Sequence, residues 1–424
     1  MEKQLQRSRM LYIVEAALEY LVAILVAGSF LATLTKELGL SDSLTGILSS
    51  IISLGCLFQL LSMFFRQRTV KRFVLVLSVI NQLLFLFLYV VPILPLGKTA
   101  KTVIFIAFIL LAYLIYYIAH PKKIAWLMGL VPDNRRGRFT ANKEIVSLIV
   151  GIAFSYGMGT LFDHFTERGE TRTALIIGAL TILALTVLHT LTMLFTVEKR
   201  EDDGQAAAAK KLSLKQSFSA LIKNKRMAGI IVVFILYNVA HYTAMPFYYT
   251  YQIGEMGMSL QLIAILGMLG SVSRILVSRF WGRYADKKSF AAMIEKCFAV
   301  LGAAYLCIVF AVPSNGTVMF ALYYLFNGIA MGGINSALTN MVFDYVPHEG
   351  RADSLAICQA MAGVVGFLST LAVSPLVSMI QANGNTVLGL SVYAQQFVSV
   401  ISLLFAVIAV LYVRFAILNR KNKN

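Results

Sequence analysis

Six ionisable side chains stand inside stretches that are otherwise apolar: Glu15 and Glu19 in RMLYIVEAALEYLVAIL, His120, Lys122 and Lys123 in LLAYLIYYIAHPKKIAWLMGLVP, and Arg274 in LGSVSRILVSRFWG. A charge at the centre of a membrane helix costs about 2.5–3.5 kcal/mol on insertion scales, so such groups turn toward protein or water and mark a pathway. Glu15 and Glu19 are four residues apart and share one helix face. On the second stretch the helical period places Tyr113, Tyr116, His120 and Lys123 on one face, a polar aromatic stripe suited to lining a cavity. It turns Lys122 by about 100°, toward Ile118 and Trp126. Pro121 removes one backbone hydrogen bond and should kink the helix, as a gating element would require.

Two carboxylates sharing a face in a low dielectric cannot both ionise cheaply, so one holds a proton unless a lysine or Arg274 neutralises it. Glu19 is the deeper and the expected proton carrier; Glu15 is expected to pair with a lysine. Neutral polar groups complete the candidate site: Asn238, His241 and Tyr242 at helical spacing, then Asn335 and Gln359. Lys123 and Arg274 are the expected contacts of a negative or zwitterionic solute, with tyrosines against its apolar part.

The elements that must position these groups follow from composition. The chain is 58% hydrophobic and 13% charged, against about 25% charged in soluble domains. Apolar runs of about 20 residues cross a bilayer, and twelve are expected here. The first four fall at Met10–Thr35, Ser43–Phe65, Phe73–Leu94 and Thr102–Val131; the sixth is Thr173–Thr196, the seventh Ala228–Tyr251, the eighth Ser259–Gly282 and the last Gly389–Phe415. Inside lipid every backbone group must be paired within its segment or in a closed barrel, and these runs are too long and unalternating for barrel strands, which leaves an all-α membrane protein.

Of 37 Lys and Arg, 28 fall on one set of loops and at both ends, which predicts both termini on the cytoplasmic side of a multi-pass cytoplasmic-membrane protein. The net charge of +17 is accounted for by that distribution, and no basic stripe with interleaved aromatics points to nucleic acid. Cys56, Cys297, Cys307 and Cys358 all lie in apolar spans and read as small core residues. MEKQLQRSR leads straight into the first span, with no cleavable signal expected. No HExxH, Gly-rich phosphate loop, nucleophile elbow or Cys/His metal spacing occurs, so neither an enzyme nor a cofactor or metal site is expected.

An internal repeat organises the spans. AKTVIFIA from Ala100 matches NGTVMFAL from Asn315, and the same shift carries VPDNRRGRF from Val131 onto VPHEGRADS from Val346, which places Asn335 at the repeat position of His120. The expected division is 1–196, a six-helix bundle; 197–227, a cytoplasmic loop in which Leu214, Phe218 and Leu221 suggest a short surface helix; and 228–424, a second six-helix bundle in the same orientation.

Twelve spans, two parallel halves, a long basic central loop and the stretch GRYADKKS from Gly282 resemble the major facilitator superfamily of secondary transporters. GRYADKKS is similar to that family's inner-loop motif G-x-x-x-D-[RK]. The resemblance implies that Gly282, Arg283, Asp286 and Lys287 form a gating latch, with Gly282 in a tight turn and Asp286 capping a neighbouring helix. RQRTVKRF from Arg66, the equivalent loop of the first half, lacks both the glycine and the acid, so the latch is expected to be asymmetric.

The resemblance also implies a monomer in which the first, fourth, seventh and tenth helices line a central cavity, and these carry most of the odd polar residues. The expected activity is secondary active transport of a small polar solute by alternating access, coupled to a proton or another ion. Efflux of amphipathic cations and a membrane sensor that binds without transporting stay open as other readings. Signatures of drug antiporters, sugar porters and peptide transporters are absent, so the solute is not assigned.

Overall fold

The computed structural model describes residues 2–61, 69–132, 136–198, 224–343, 351–387 and 389–419. Among these residues eleven helices are long and apolar enough to cross a bilayer, and Asp42–Leu54 is a shorter apolar helical stretch at the expected second span. The rest of that span runs into residues 62–68, outside the described residues, as do Leu214, Phe218 and Leu221 of the central loop.

The helices, in chain order, are α1 (Glu2–Leu25), α2 (Gly28–Glu37), α3 (Asp42–Ser50), α4 (Gly55–Leu61), α5 (Val70–Val90), α6 (Lys98–Met128), α7 (Arg136–Glu167), α8 (Thr171–Phe195), α9 (Lys225–Ala244), α10 (Leu260–Lys287), α11 (Phe290–Val309), α12 (Gly316–Phe343), α13 (Arg351–Ala382) and α14 (Ala394–Tyr412). A two-residue antiparallel pair, β1 (Thr386–Val387) with β2 (Leu390–Ser391), precedes α14. That small hairpin leaves the architecture all-α and moves the start of the last span from Gly389 to Ala394.

Two spans are interrupted for readable reasons. The expected single helix Met10–Thr35 stops at Leu25 and restarts at Gly28, whose φ of 58° is a left-handed conformation that glycine adopts without a Cβ clash. The seventh span changes to a 3-10 turn at Met245–Phe247, where Pro246 has no N–H to give the carbonyl four residues back. That carbonyl, on Tyr242, accepts the Thr370 hydroxyl at 2.6 Å instead. Pro121, by contrast, sits inside α6, which is helical without a break from Lys98 to Met128.

The chain forms two compact units. One contains α1, α2, α5, α6, α7, α8 and the first residues of α10; α1 packs on α7 and α8, and α5 on α6 and α8. Its core includes Tyr12, Val74, Trp126, Leu127, Leu130 and Met193. The ends of α5 and α8 cap each other. Glu198 Oε1 accepts the N–H groups of Val70 (2.8 Å) and Lys71 (3.0 Å), while the Lys71 ammonium donates to the carbonyls of Leu194 and Thr196, both at 2.7 Å. Each charge sits at the helix end whose dipole it complements.

The other unit contains α3, α9, the remainder of α10 and α11 to α14, with α9 on α13 and α14 and α11 on α12 and α14. There Asp42 Oδ2 accepts from the side-chain amides of Gln381 (2.7 Å) and Gln395 (3.0 Å). Gly363 of α13 lies so close to Ser53 that a Cβ would fall 2.0 Å from its carbonyl oxygen, so only glycine fits.

Candidate functional site

In the first unit, four helices deliver polar side chains to one place. α1 brings Glu15 and Glu19 on one face, α5 brings Ser78, Asn81 and Gln82, α6 brings Tyr116, His120 and Lys123, and α8 brings His189. Lys123 is 3% exposed, and its ammonium lies 3.1 Å from Glu15 Oε1 and in contact with Glu19 Oε2. Glu15 Oε1 also faces His189 Nε2 at 3.0 Å, and His189 Nδ1 faces the Gln82 amide nitrogen at 3.2 Å. Glu15, His189 and Gln82 are all at most 2% exposed, whereas the Glu19 side chain is 21% exposed.

Buried charge is tolerated only when paired and hydrogen-bonded, and here one ammonium serves two carboxylates. With a neutral imidazole the four groups carry a net charge of −1. Two buried acceptor oxygens, Glu15 Oε2 and Gln82 Oε1, have no hydrogen-bond donor among the described residues. A small recess, with room for about one water molecule, opens onto the cluster and is lined by Glu19, Gln82, Tyr116, His120, Lys123 and His189 among others.

The Tyr116 ring lies 5.3 Å from His120 and 6.0 Å from the Lys123 ammonium, and Tyr113 packs edge-on to Phe85. Lys122 points elsewhere, with its ammonium 4.7 Å from the centre of the Phe73 ring. Glu15, Glu19 and His189 each direct an atom of ligand type into a space under 4.8 Å across. The Lys123 ammonium occupies the same cluster as its own cation, and we assign no metal there.

The second unit carries aromatic and amide groups. His241 of α9 stacks on Tyr237 at 5.6 Å and meets Tyr242 edge-on at 5.0 Å. Its Nδ1 is buried with no hydrogen-bond partner among the described residues. Asn238 returns its amide to the Phe234 carbonyl of its own helix at 2.9 Å. Arg274, Asn335 and Gln359 are exposed, and Arg274 makes no ion pair or hydrogen bond with a described residue.

The latch expected from the motif has a different local geometry. α10 continues to Lys287, so Gly282 and Asp286 lie in its last two turns and not in a tight turn. The chain reverses at Lys288 and Ser289, where the Ser289 hydroxyl accepts from Ala292 N at 3.1 Å and caps α11. Asp286 is exposed and bonds to no described residue, and residues 344–350 before α13 lie outside them.

Of the sequence-derived residues, Glu15, Glu19, Tyr116, His120 and Lys123 meet in one cluster, with Tyr113 packed beside it. His241 and Tyr242 touch in the other unit. Four polar side chains join them from outside that set: His189, Gln82, Asn81 and Ser78. His189 was open to detection by the rule that picked out Lys123, since it is an ionisable side chain in the middle of the sixth span.

Comparison with known proteins agrees with the architecture. No curated protein matches the chain by sequence. Among solved structures, the nucleoside transporter NupG aligns with a TM-score of 0.70 at 17% identity, covering 96% of this chain and 98% of that one. A bacterial homolog of the human lysosomal transporter Spinster, inward-facing and unoccupied, gives 0.70 at 12% identity over 97% of each chain. A D-xylose-proton symporter gives 0.66 at 11% identity over 96% of each. The sequence profile described as Major Facilitator Superfamily matches residues 16–370, from within α1, just after Glu15, into α13. The chain is therefore a member of the major facilitator superfamily, a multi-pass membrane protein.

Proposed function

We propose that the chain is a secondary active transporter that carries a small polar organic solute across the cytoplasmic membrane by alternating access, with a proton as coupling ion. It acts as a monomer with both termini in the cytoplasm. The observation that carries the reading is the buried group of Glu15, Glu19, Lys123 and His189, which opens on a polar recess and is one positive charge short of neutrality. Such a group is costly to keep in a membrane unless it works. Membership in a transporter superfamily and the likeness to a proton symporter support the coupling, and the distribution of 28 of 37 basic residues supports the orientation.

The residues proposed to contact an anionic or zwitterionic solute are, in the second unit, Arg274, which makes no ion pair with a described residue, with Asn238, His241, Tyr242, Asn335 and Gln359, and, in the first unit, His120, Tyr116 and Tyr113. Lys123 joins the solute only if Glu15 or Glu19 releases it. Gly282, Arg283, Asp286, Lys287 and Pro121 are the proposed gating residues. No catalytic step is assigned. The negative sum of the α1–α6–α8 cluster favours, as a second reading, export of amphipathic cations in exchange for protons.

Both readings are tested with the purified protein in liposomes containing a pH-sensitive dye. Organic anions, zwitterions, sugars, nucleosides and lipophilic cations are added in turn across an imposed proton gradient. Proton movement with an anion or zwitterion supports the first reading, and with a cation the second. Solute uptake that ignores the gradient would refute proton coupling.

A further inference from the structure

We propose that the imidazole of His189, and not a carboxylate, takes up the coupling proton, and that Gln82 turns its amide to accept the new N–H. This deepens the transport reading and rests on it for what the proton drives. Glu15 Oε1 has only lone pairs to offer, so His189 Nε2 must carry a hydrogen at 3.0 Å. In a neutral ring Nδ1 then bears the lone pair, and the Gln82 NH₂ at 3.2 Å donates to it. That orientation leaves Gln82 Oε1 buried and unpartnered.

One added proton resolves the mismatch. It is supplied by water, enters through the recess that both Glu19 and His189 line, and settles on Nδ1. Rotation of the Gln82 amide by half a turn then brings Oε1 onto the new N–H, and the amide NH₂ turns toward the recess, which Gln82 also lines. The imidazolium faces Glu15 directly, so the cluster becomes neutral. The carboxylates are poorer seats in this geometry because Glu19 and Glu15 are both committed to the Lys123 ammonium.

The groups facing His189 from neighbouring helices are consistent with this assignment. α1 contributes Glu15, with Glu19 and Tyr12 near it; α6 contributes Lys123, with His120 beyond; α5 contributes the neutral Gln82 and Asn81. On α7, the Lys143 ammonium lies 5.3 Å from the Tyr12 ring, and Glu144 is exposed. The buried anion nearest His189 is thus Glu15, and the nearest cation, Lys123, is already shared between two carboxylates.

The test reads protons without any solute. The full-length protein, labelled with ¹⁵N in its 5 histidines, is placed in liposomes and its imidazole nitrogens are followed from about pH 8 to about pH 5, the range in which histidine changes charge. The His189 signals are identified by their loss in His189→Gln, or by elimination with Gln variants of the other histidines if that variant does not fold.

The expected result is conversion of His189 from the neutral, Nε2-protonated pattern to the doubly protonated one. Gln82→Leu should bind the proton about tenfold more weakly, moving the midpoint about one pH unit lower, and Glu15→Gln should lower it as well. A His189 that stays neutral throughout, or a midpoint unmoved in both variants, overturns the proposal. Because no solute is present, these outcomes are separate from those of the liposome flux assay.

Discussion

Asp163 of α7 closes the amino end of α10: its two carboxylate oxygens accept the backbone N–H groups of Leu260 at 2.9 Å and Gln261 at 2.8 Å. One turn earlier on the same face, Gly159 has no side chain to hold α10 away, and a Cβ there would lie 3.0 Å from the Gln261 nitrogen. Replacing a capping carboxylate by Ala costs about 0.5–2 kcal/mol, with a further contribution from the helix dipole. Asp163→Ala should therefore lower the unfolding temperature in detergent, with Asp163→Asn losing less. Gly159→Val, which would block the approach itself, should lose at least as much as Asp163→Ala. Equal stability of all three with the parent protein would show that the contact contributes nothing.

Lys123→Met should be among the most damaging substitutions in the first unit. It leaves Glu15 and Glu19 facing each other without their shared cation, and breaking a buried ion pair on one side costs about 3–5 kcal/mol. The triple variant with Glu15→Gln and Glu19→Gln should recover most of that loss. Chemical unfolding of the single and combined variants gives the coupling energy directly, and strict additivity would contradict the network.

His241→Phe separates binding from packing in the second unit. The ring stacks on Tyr237, and its Nδ1 is buried without a partner among the described residues. Removing an unsatisfied polar atom while keeping the ring is expected to change stability by less than about 1 kcal/mol. If the nitrogen is held for a solute, apparent affinity in uptake assays should fall several-fold. Unchanged affinity with unchanged stability would remove His241 from the site.

Gly178→Val tests the seam between α5 and α8. A Cβ at Gly178 would lie 2.5 Å from the Tyr89 ring and 3.1 Å from Phe162. Overpacking of this kind costs about 1–3 kcal/mol, to be read from unfolding of the purified variant. Tyr89→Ala should relieve part of the penalty if the clash is with that ring.

The sequence carried the helical architecture because lipid allows no alternative to internally paired backbone, and the apolar runs are long enough to show it. It carried all but one of the ionisable groups of the cluster for a related reason: Glu15, Glu19, His120 and Lys123 are conspicuous in apolar surroundings, and helical periodicity alone puts each pair on one face. It did not carry His189 or Gln82, because which helices meet is a matter of packing between elements distant in the chain. Neither did it carry the commitment of Lys123 to two carboxylates, which takes away the free cation expected to hold the solute. The Gly282 motif was legible as a pattern, but its turn was not, since the helix runs on to Lys287 and the capping oxygen belongs to Ser289.

The crossed caps on α5 and α8 bear on how the chain could cycle. With Glu198 holding the start of α5 and the Lys71 ammonium holding the end of α8, sliding of one helix along the other would break four charge-assisted bonds together. Gln82 and His189 ride on this braced pair, so the same four bonds that pin the helix ends also hold the amide and the ring at a fixed spacing, like two teeth set in one clamp.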